Sequence, residues 1–466
     1  MGEGMIASDG ARLVEAGTGA TLDAPGLRQA VDRVKAALDR LPPGAVGSRT
    51  APCLPSVLRL LAALETGRPV MLLPPRLLAE RLAGLAGRFG LRAVLGLADA
   101  EPVRDDPPAG HRREEHPELS GWVRTGGLDV TPHGDLGLLL TTSGSTGAPK
   151  AVRLSAAAVR ANAASIGAAL GIGPREVAPT SLPLFYSYGL SVLTSHLLAG
   201  ATVVLCEGGV LSRGFWRAVD RYGATSLAGV PHTYETLDRA GWRLAAHPTL
   251  RTLTQAGGRL APRLVGRFAG MADACAGRMF VMYGQTEATA RMTVLPPGRL
   301  RDKAGSVGPP IPGGSVRVDG EEVVYRGPNV MLGYAEDADD LARGDELGGT
   351  LRTGDTGTLD DEGFLWLTGR LGRLGKVFGV RVDLDDVEHA LDDLGPAAAL
   401  AEDDRVAVWS AGAASDAELL GRLAREFQVH RSGFVVRRVA ALPRLANGKV
   451  DYQRLRVAEA GRAPCG

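Results

Sequence analysis

Apolar residues recur every three to four positions over residues 27–40 (LRQAVDRVKAALDR) and 55–66 (PSVLRLLAALET), a period that places them on one face of an amphipathic helix. VMLLPP then reads as a short buried strand closed by prolines, LLAERLAGLAGRFG as a helix and AVLGL as the next strand. This β/α alternation predicts a parallel sheet. Periodicity is lost over residues 101–135, where EPVRDDPPAGHRREEHPE mixes proline, glycine and charge, and a solvated connection is expected there.

From residue 136 the alternation resumes. LGLLLTT and AVRLS read as strands, and SAAAVRANAASIGAAL as a helix opened by Ser155 as N-cap. SVLTSHLLAG, FWRAVDRY and PHTYETLDR follow as helices, interleaved with the strands ATVVLCE, SLAGV, LRTLTQAGG and MFVMYG. Beyond about residue 305 the pattern changes to short strands joined by Asp-Gly and Glu-Gly turns, in SVRVDG, EEVVYRG and GTLDDEGFLWLTG. The last hundred residues or so combine the helices VDLDDVEHALDDL and DAELLGRLAREF with the strands RVAVWS and FVVRRV, which predicts a compact α+β tail.

Composition narrows the partners. The 466 residues include 53 basic and 52 acidic side chains, and a net charge of +1 argues against a nucleic-acid partner held by counterion release. No apolar run reaches the roughly 18 residues of a membrane-spanning helix, and MGEGMIASDG has neither the basic patch nor the apolar core of a signal peptide. The four cysteines are scattered singly, so neither a disulfide framework nor a zinc site is expected, and a reducing cytoplasm is the expected location. Only five basic residues are lysines (Lys35, Lys150, Lys303, Lys376 and Lys449). In so arginine-rich a chain, a lysine marks a position where a compact ammonium is favoured over a guanidinium.

The strongest local signal for chemistry is Thr142-Ser143-Gly144-Ser145-Thr146-Gly147-Ala148-Pro149-Lys150, between two predicted strands. Glycines let the backbone turn with its N–H groups free, and four hydroxyls and a lysine surround the concavity, which suits a polyphosphate. A Walker A loop requires Gly-Lys-Ser/Thr opening a helix, whereas Pro149-Lys150-Ala151 leads into a strand.

Here the chain resembles the adenylate-forming superfamily of acyl-CoA synthetases, luciferases and peptide-synthetase adenylation domains. Further segments match that family's motifs in its order, over about residues 136–455. They are Gln255-Ala256-Gly257-Gly258-Arg259-Leu260, Tyr283-Gly284-Gln285-Thr286-Glu287, Gly305–Pro310, Gly327–Tyr334, Thr353-Gly354-Asp355 with Gly369-Arg370, and Asn447-Gly448-Lys449. The resemblance implies an α/β fold: a large N-terminal domain of α/β sheet subdomains over residues 1–369, with a β-rich subdomain from about 305, a hinge at 370–372, and a small mobile α+β C-terminal domain over 373–466.

It also implies AMP-forming acid activation with ATP and Mg²⁺, followed by transfer to CoA or a phosphopantetheinyl carrier protein. Thr142, Ser143, Gly144, Ser145, Thr146, Gly147 and Lys150 would hold the β- and γ-phosphates. Thr286 would bond the α-phosphate and Glu287 bind the metal. Asp355 would accept from the ribose hydroxyls beside Arg370, and Tyr283, Gly284, Gln285, Gly257 and Gly258 would border the adenine. Lys449 would bridge the substrate carboxylate and the α-phosphate. Phe185, Tyr186, Tyr188, Val230, Tyr234, Gly258 and Arg259 would line the acid pocket.

Departures from the family pattern bear on the substrate and the acceptor. Pro183-Leu184-Phe185-Tyr186-Ser187-Tyr188-Gly189 lacks the acid that amino-acid-selecting members offer to an ammonium, and an unpaired buried ammonium is costly, so an amino acid is disfavoured. Tyr186 stands where many acyl-CoA synthetases have His. Two tyrosines fit an aromatic or hydroxylated acid, and equally fit ordinary core packing. Gly372 replaces the usual Asp or Lys of the hinge, and Gly379-Val380-Arg381-Val382, with Lys376 nearby, resembles the glycine segment that serves the transfer step. The short tail keeps amide ligation or nitrite activation open as other outcomes. A degenerate nucleotide-binding module would lack the lysine, the metal acid or the ribose aspartate, and this chain has all three.

Overall fold

A computed structural model describes residues 7–99, 107–127, 130–142, 150–371, 373–378, 380–402, 405–446 and 448–460. The apolar faces read from the sequence form the elements expected of them. Helix Ala24–Leu38 starts behind Asp23, whose side chain accepts from the Gly26 N–H, and buries Leu27, Val31, Val34 and Leu38. Helix Ala156–Leu170 is capped by Ser155, which accepts from the Ala158 N–H, and ends on Gly171 in the left-handed conformation.

Among the described residues, four sheets build the large domain. The widest has eight strands, in the spatial order Gly333–Ala335, Lys150–Ser155, Leu136–Thr142, Val70–Leu73, Val46–Arg49, Ala93–Leu95, Gly121–Arg124, His111–Glu114. Its centre is parallel and buried on both faces, which accounts for near-continuous apolar runs such as VMLL. A second sheet runs Ser226–Gly229, Thr252–Gln255, Arg278–Tyr283, Thr293–Leu295, the first three parallel and the last antiparallel. The third aligns Val177–Pro179, Thr202–Leu205, Arg12–Glu15 and Thr21–Leu22. The β-rich section is an antiparallel sheet of Ser315–Asp319, Glu322–Arg326, Thr350–Leu359 and Leu365–Arg370. The tail pairs Ala397–Ala401, Val406–Ser410 and Phe434–Arg438 around its own apolar core of Val387, Leu391, Val408, Leu419, Leu423 and Phe434. The fold is therefore a large α/β domain of mixed sheets followed by a smaller α+β domain.

Part of the expected connection at 101–135 is sheet. His111–Glu114 and Gly121–Arg124 pair antiparallel, and Trp122 is buried. The outer strand holds charged residues because it is an edge facing water, where charge discourages further pairing. The tail helix is also shorter than its pattern suggested: Val380–Asp383 is a strand and only Leu384–His389 is helical, opened by Asp383 accepting from the Asp385 N–H. Among the described residues, no helix is long and apolar enough to cross a membrane, and Cys53, Cys206 and Cys275 are free thiols.

Candidate active site

The polyphosphate loop is carried by a hairpin. Leu136–Thr142 and Lys150–Ser155 pair antiparallel, with Thr142 opposite Lys150. Ser143, Gly144, Ser145, Thr146 and Gly147 lie outside the described residues. Lys150 forms an ion pair with Glu336 at 2.7 Å. The hairpin is fixed from behind by fully buried Arg153, which donates to the carbonyls of Tyr334 (3.1 Å) and Gly344 (3.2 Å) and pairs with Glu346.

Strand Arg278–Tyr283 delivers the next group. Gly284 follows because a Cβ there would lie 1.9 Å from the Ala290 carbonyl oxygen, so only glycine lets the chain double back. Thr286–Ala288 is a single 3₁₀ turn, and Thr289 leaves it at φ +64°, a strained value for a β-branched residue. Its hydroxyl is tied to the Asn329 carbonyl at 2.7 Å, which holds the turn in place. Thr286 presents its hydroxyl 3.1 Å from that of Ser187, and Glu287 accepts from the Tyr334 hydroxyl at 2.8 Å.

Asp355 is buried between the β-rich sheet and this turn. It accepts from the hydroxyl of Tyr283, from Gln285 at 2.6 Å and from the Arg370 guanidinium at 2.6 Å. Burial, reinforced by the neighbouring Asp355 charge, raises the Tyr283 phenol well above its ordinary range, so it stays protonated and donates.

The acid-pocket residues separate into three groups. Tyr188 is buried, with its hydroxyl on Thr254 (2.9 Å to Oγ1 and 3.0 Å to the carbonyl), and Tyr186 meets it edge-on with ring centroids 6.4 Å apart. A Cβ on Gly257 would lie 2.6 Å from the Tyr186 hydroxyl, which puts this ring against the Gly257-Gly258 segment. Burial pushes the Tyr186 phenol up to about 12. Tyr234 is fully buried, donating to the Thr254 carbonyl (2.9 Å) and packed edge-on to Phe268, while Phe185 packs against the main core. Arg259 is exposed and reaches across to His389 of the small domain, 2.6 Å away.

Lys449 comes from that small domain. Arg444 and Val450 form an isolated antiparallel bridge, the Leu445 N–H donates to the Lys449 carbonyl at 2.8 Å, and Arg444 donates to the Gly448 carbonyl at 2.9 Å. A Cβ on Gly448 (φ +83°) would lie 2.8 Å from Val230, so glycine permits the tip to dock on the large domain. Arg444 adds an interdomain ion pair with Glu235 at 3.2 Å. Lys449 has protein atoms crowded around it, yet its side chain is exposed to water. Desolvation first, and then the Arg370 charge, draws its pKa below the ordinary lysine value of 10.5, with Glu287 and Asp355 pulling the other way. The ammonium therefore lies in the field of three residues from the Glu287, Asp355 and Arg370 positions. Of the hinge and transfer positions, Gly372 and Gly379 lie outside the described residues, and the Lys376 backbone pairs with Arg381 in a hairpin.

No group of three or more His, Cys, Asp or Glu among the described residues could hold a metal by itself. A lone, half-buried Glu287 with one oxygen on a tyrosine fits a magnesium ion that takes most of its ligands from phosphate and water. Sequence reasoning missed Arg291. It is fully buried and stacks over Tyr188, with its guanidinium carbon 4.5 Å from the ring centroid. The signal was present as one charge inside the apolar run Ala290-Arg291-Met292.

A family model for AMP-binding enzymes matches residues 15–335. An oxalate–CoA ligase of Arabidopsis thaliana is 30% identical over 71% of this chain and 63% of its own length. A feruloyl-CoA synthase of an Amycolatopsis species is 32% identical over 71% of the chain and 64% of its own length, so the match spans a little under two thirds of each relative. The solved o-succinylbenzoate CoA synthetase of Bacillus subtilis, in complex with its acyl-adenylate intermediate, superimposes with a TM-score of 0.74 over 95% of this chain and 94% of its own, at 22% identity.

Proposed function

Because the chain belongs to the family of AMP-binding enzymes, we propose that it activates a small carboxylic acid with ATP and passes the acyl group to a thiol. In the first step a carboxylate oxygen attacks the α-phosphorus, the bond to the bridging oxygen breaks, and pyrophosphate leaves. Negative charge shifts among phosphoryl oxygens throughout, so preorganised donors and positive charge supply most of the catalysis.

The observation that carries this reading is the tip at Gly448 docked on Val230 of the large domain, which brings the adjoining Lys449 under the influence of the Arg370, Glu287 and Asp355 charges. There it bridges the attacking carboxylate and the α-phosphate, with Thr286 donating to the same phosphate. Asp355 exchanges its Tyr283 and Gln285 partners for ribose hydroxyls, Arg370 stays beside it, and the Tyr283 ring borders the adenine. Lys150 and the hydroxyls of the loop before it take the β- and γ-phosphates, with Glu336 holding the ammonium until ATP arrives. Bound magnesium supplies charge neutralisation on the phosphates, and Glu287 is the residue to hold it.

In the second step a thiolate attacks the acyl carbon and AMP departs. CoA is the acceptor favoured by the relatives' names, with a carrier-protein thiol as the other form of the same chemistry. Residues 1–369 form the catalytic domain, 370–372 the hinge and 373–466 the domain that turns to bring Gly379 toward the site. An ATP–pyrophosphate exchange screen over aryl, fatty, amino and inorganic acids tests the first step. Exchange that depends on a carboxylic acid is expected; exchange with nitrite alone, or with nothing, would overturn it.

A further inference from the structure

A cavity opens beneath Tyr188, between helix Ser187–Leu198, helix Ala156–Leu170 and the strands of the second sheet. Most of its wall is apolar or hydroxylic: Ile166, Val192, Ala228 and Met282, with Ser191 and Thr254. Arg291 also lines it, and its partners are unusual. The guanidinium has a tyrosine face on one side and a single long hydrogen bond to the Ser191 hydroxyl at 3.4 Å, and its Nε has no partner at all. No carboxylate among the described residues forms an ion pair with it.

The other charged groups of the cavity do not fill the gap. Glu176 is engaged by Arg278 at 4.0 Å and by the Thr225 hydroxyl. His196, also on the wall, has Nδ1 2.8 Å from the Val192 carbonyl and is kept neutral by burial. A guanidinium cannot shed its proton to escape desolvation, and a buried charge left without an opposite charge is expensive. Stacking on Tyr188 offsets part of that cost. The backbone gives Arg291 no freedom to leave, since its carbonyl accepts from Asn162 at 3.0 Å and from Asn329 at 2.9 Å.

We propose that the acid activated here carries a second carboxylate, and that Arg291 receives it. The inference rests on the acid-activation reading and names the substrate class for that reaction. Tyr188 lines the cavity and meets Tyr186, whose hydroxyl lies against Gly257; in this proposal an acid that reaches past the two rings presents one carboxylate to Lys449 and the other to Arg291. The cavity is small, about 30 Å³, with room for one or two waters. That suits the tip of a short or slender acid better than a bulky apolar tail. Arg291 is here a specificity-determining residue, remote from the reacting atoms.

The test is acid-dependent pyrophosphate exchange by the full chain, using dicarboxylic acids of increasing length paired with their monomethyl esters. Each pair differs only in the distal charge. The dicarboxylates should exceed their half-esters by about 30-fold or more in kcat/KM, the range for a buried, hydrogen-bonded charge pair. Arg291→Gln should remove that margin by lowering the dicarboxylates alone, leaving the KM for ATP unchanged, and Arg291→Lys should restore part of it. Half-esters that match or exceed the dicarboxylates in the parental protein would overturn the inference, even if Arg291→Gln failed to fold. An equal fall for both series in a folded Arg291→Gln would do the same, making the arginine part of the frame. Exchange with neither series while other carboxylic acids work would overturn this inference alone. Exchange with no carboxylic acid would overturn the acid-activation reading as well.

Discussion

On the side of the site proposed to take the nucleotide, Asp355 is met by Tyr283, Gln285 and Arg370, Glu287 by Tyr334, and Lys150 by Glu336. In the cavity beneath Tyr188, where we propose the acid's far end to lie, Arg291 has only an aromatic face and one long hydrogen bond. The first region keeps its charges hydrogen-bonded or paired before any ligand arrives, so ATP bound as proposed would exchange partners there and introduce few new ones. The second keeps a charge unmatched, so a ligand with the opposite charge gains the whole of the missing interaction. Binding on the nucleotide side should therefore tolerate conservative change, while selection on the acid side should depend heavily on one residue.

The most severe break should come from Lys449→Ala, which removes the charged donor expected to serve both substrates at once. Acid-dependent pyrophosphate exchange should fall by about 10²–10³, whereas transfer from a chemically prepared acyl-adenylate should proceed at nearly the parental rate. Quench-flow of the two half-reactions separates these; equal loss in both would make the lysine structural. The same residue sets a pH limit. Because its pKa is drawn below 10.5 and the protonated form is the active one, the exchange rate should fall on the alkaline side at a lower pH than an ordinary lysine would give. In Lys449→Ala that limb should vanish from the residual rate.

Asp355→Ala should raise the KM for ATP by roughly 10- to 100-fold, the worth of one or two charge-assisted hydrogen bonds. Saturating ATP should recover much of the rate. Glu287→Ala should respond far less to added ATP, because what it loses is a metal ligand, and equal rescue of the two would break the division of roles. The smallest effect is expected from Arg444→Ala. Its ion pair with Glu235 is partly exposed, and such pairs contribute about 0.2–1 kcal/mol. Exchange should fall no more than about five-fold, and the difference should shrink as salt screens the pair.

The nucleotide side was largely legible in the sequence because its residues sit in contiguous, turn-rich strings. Tyr283 to Glu287 is one such string, and Gly284 is required by its own close approach to Ala290. Ser155 was legible for a similar reason, as a cap acts within three residues of itself. Arg291 was not, because its meaning depends on Tyr188 and Ser191, a hundred residues earlier on a helix that the sequence does not place beside it. Strand Arg12–Glu15 escaped likewise, since its four residues acquire an identity only by pairing with Thr202–Leu205. The edge hairpin around Trp122 was hidden by charge that serves the rim of a sheet as well as it serves a loop.

The junction of the two domains has a mechanical consequence. The Leu371 N–H donates to the Gly354 carbonyl at 2.7 Å and so belongs to the large body. Arg373, two positions on, is gripped by Glu388, Asp385 and the Tyr452 ring of the small one. The Arg373 N–H, on the Arg370 carbonyl at 3.2 Å, ties the second anchor back to the first. If the small domain turns as proposed, anchors this close leave the turn little slack. Its torque would then come from the docked faces, and a modest twist at the root would become a long sweep at the lysine-bearing tip, so the timing of turnover would depend on how firmly that tip is held.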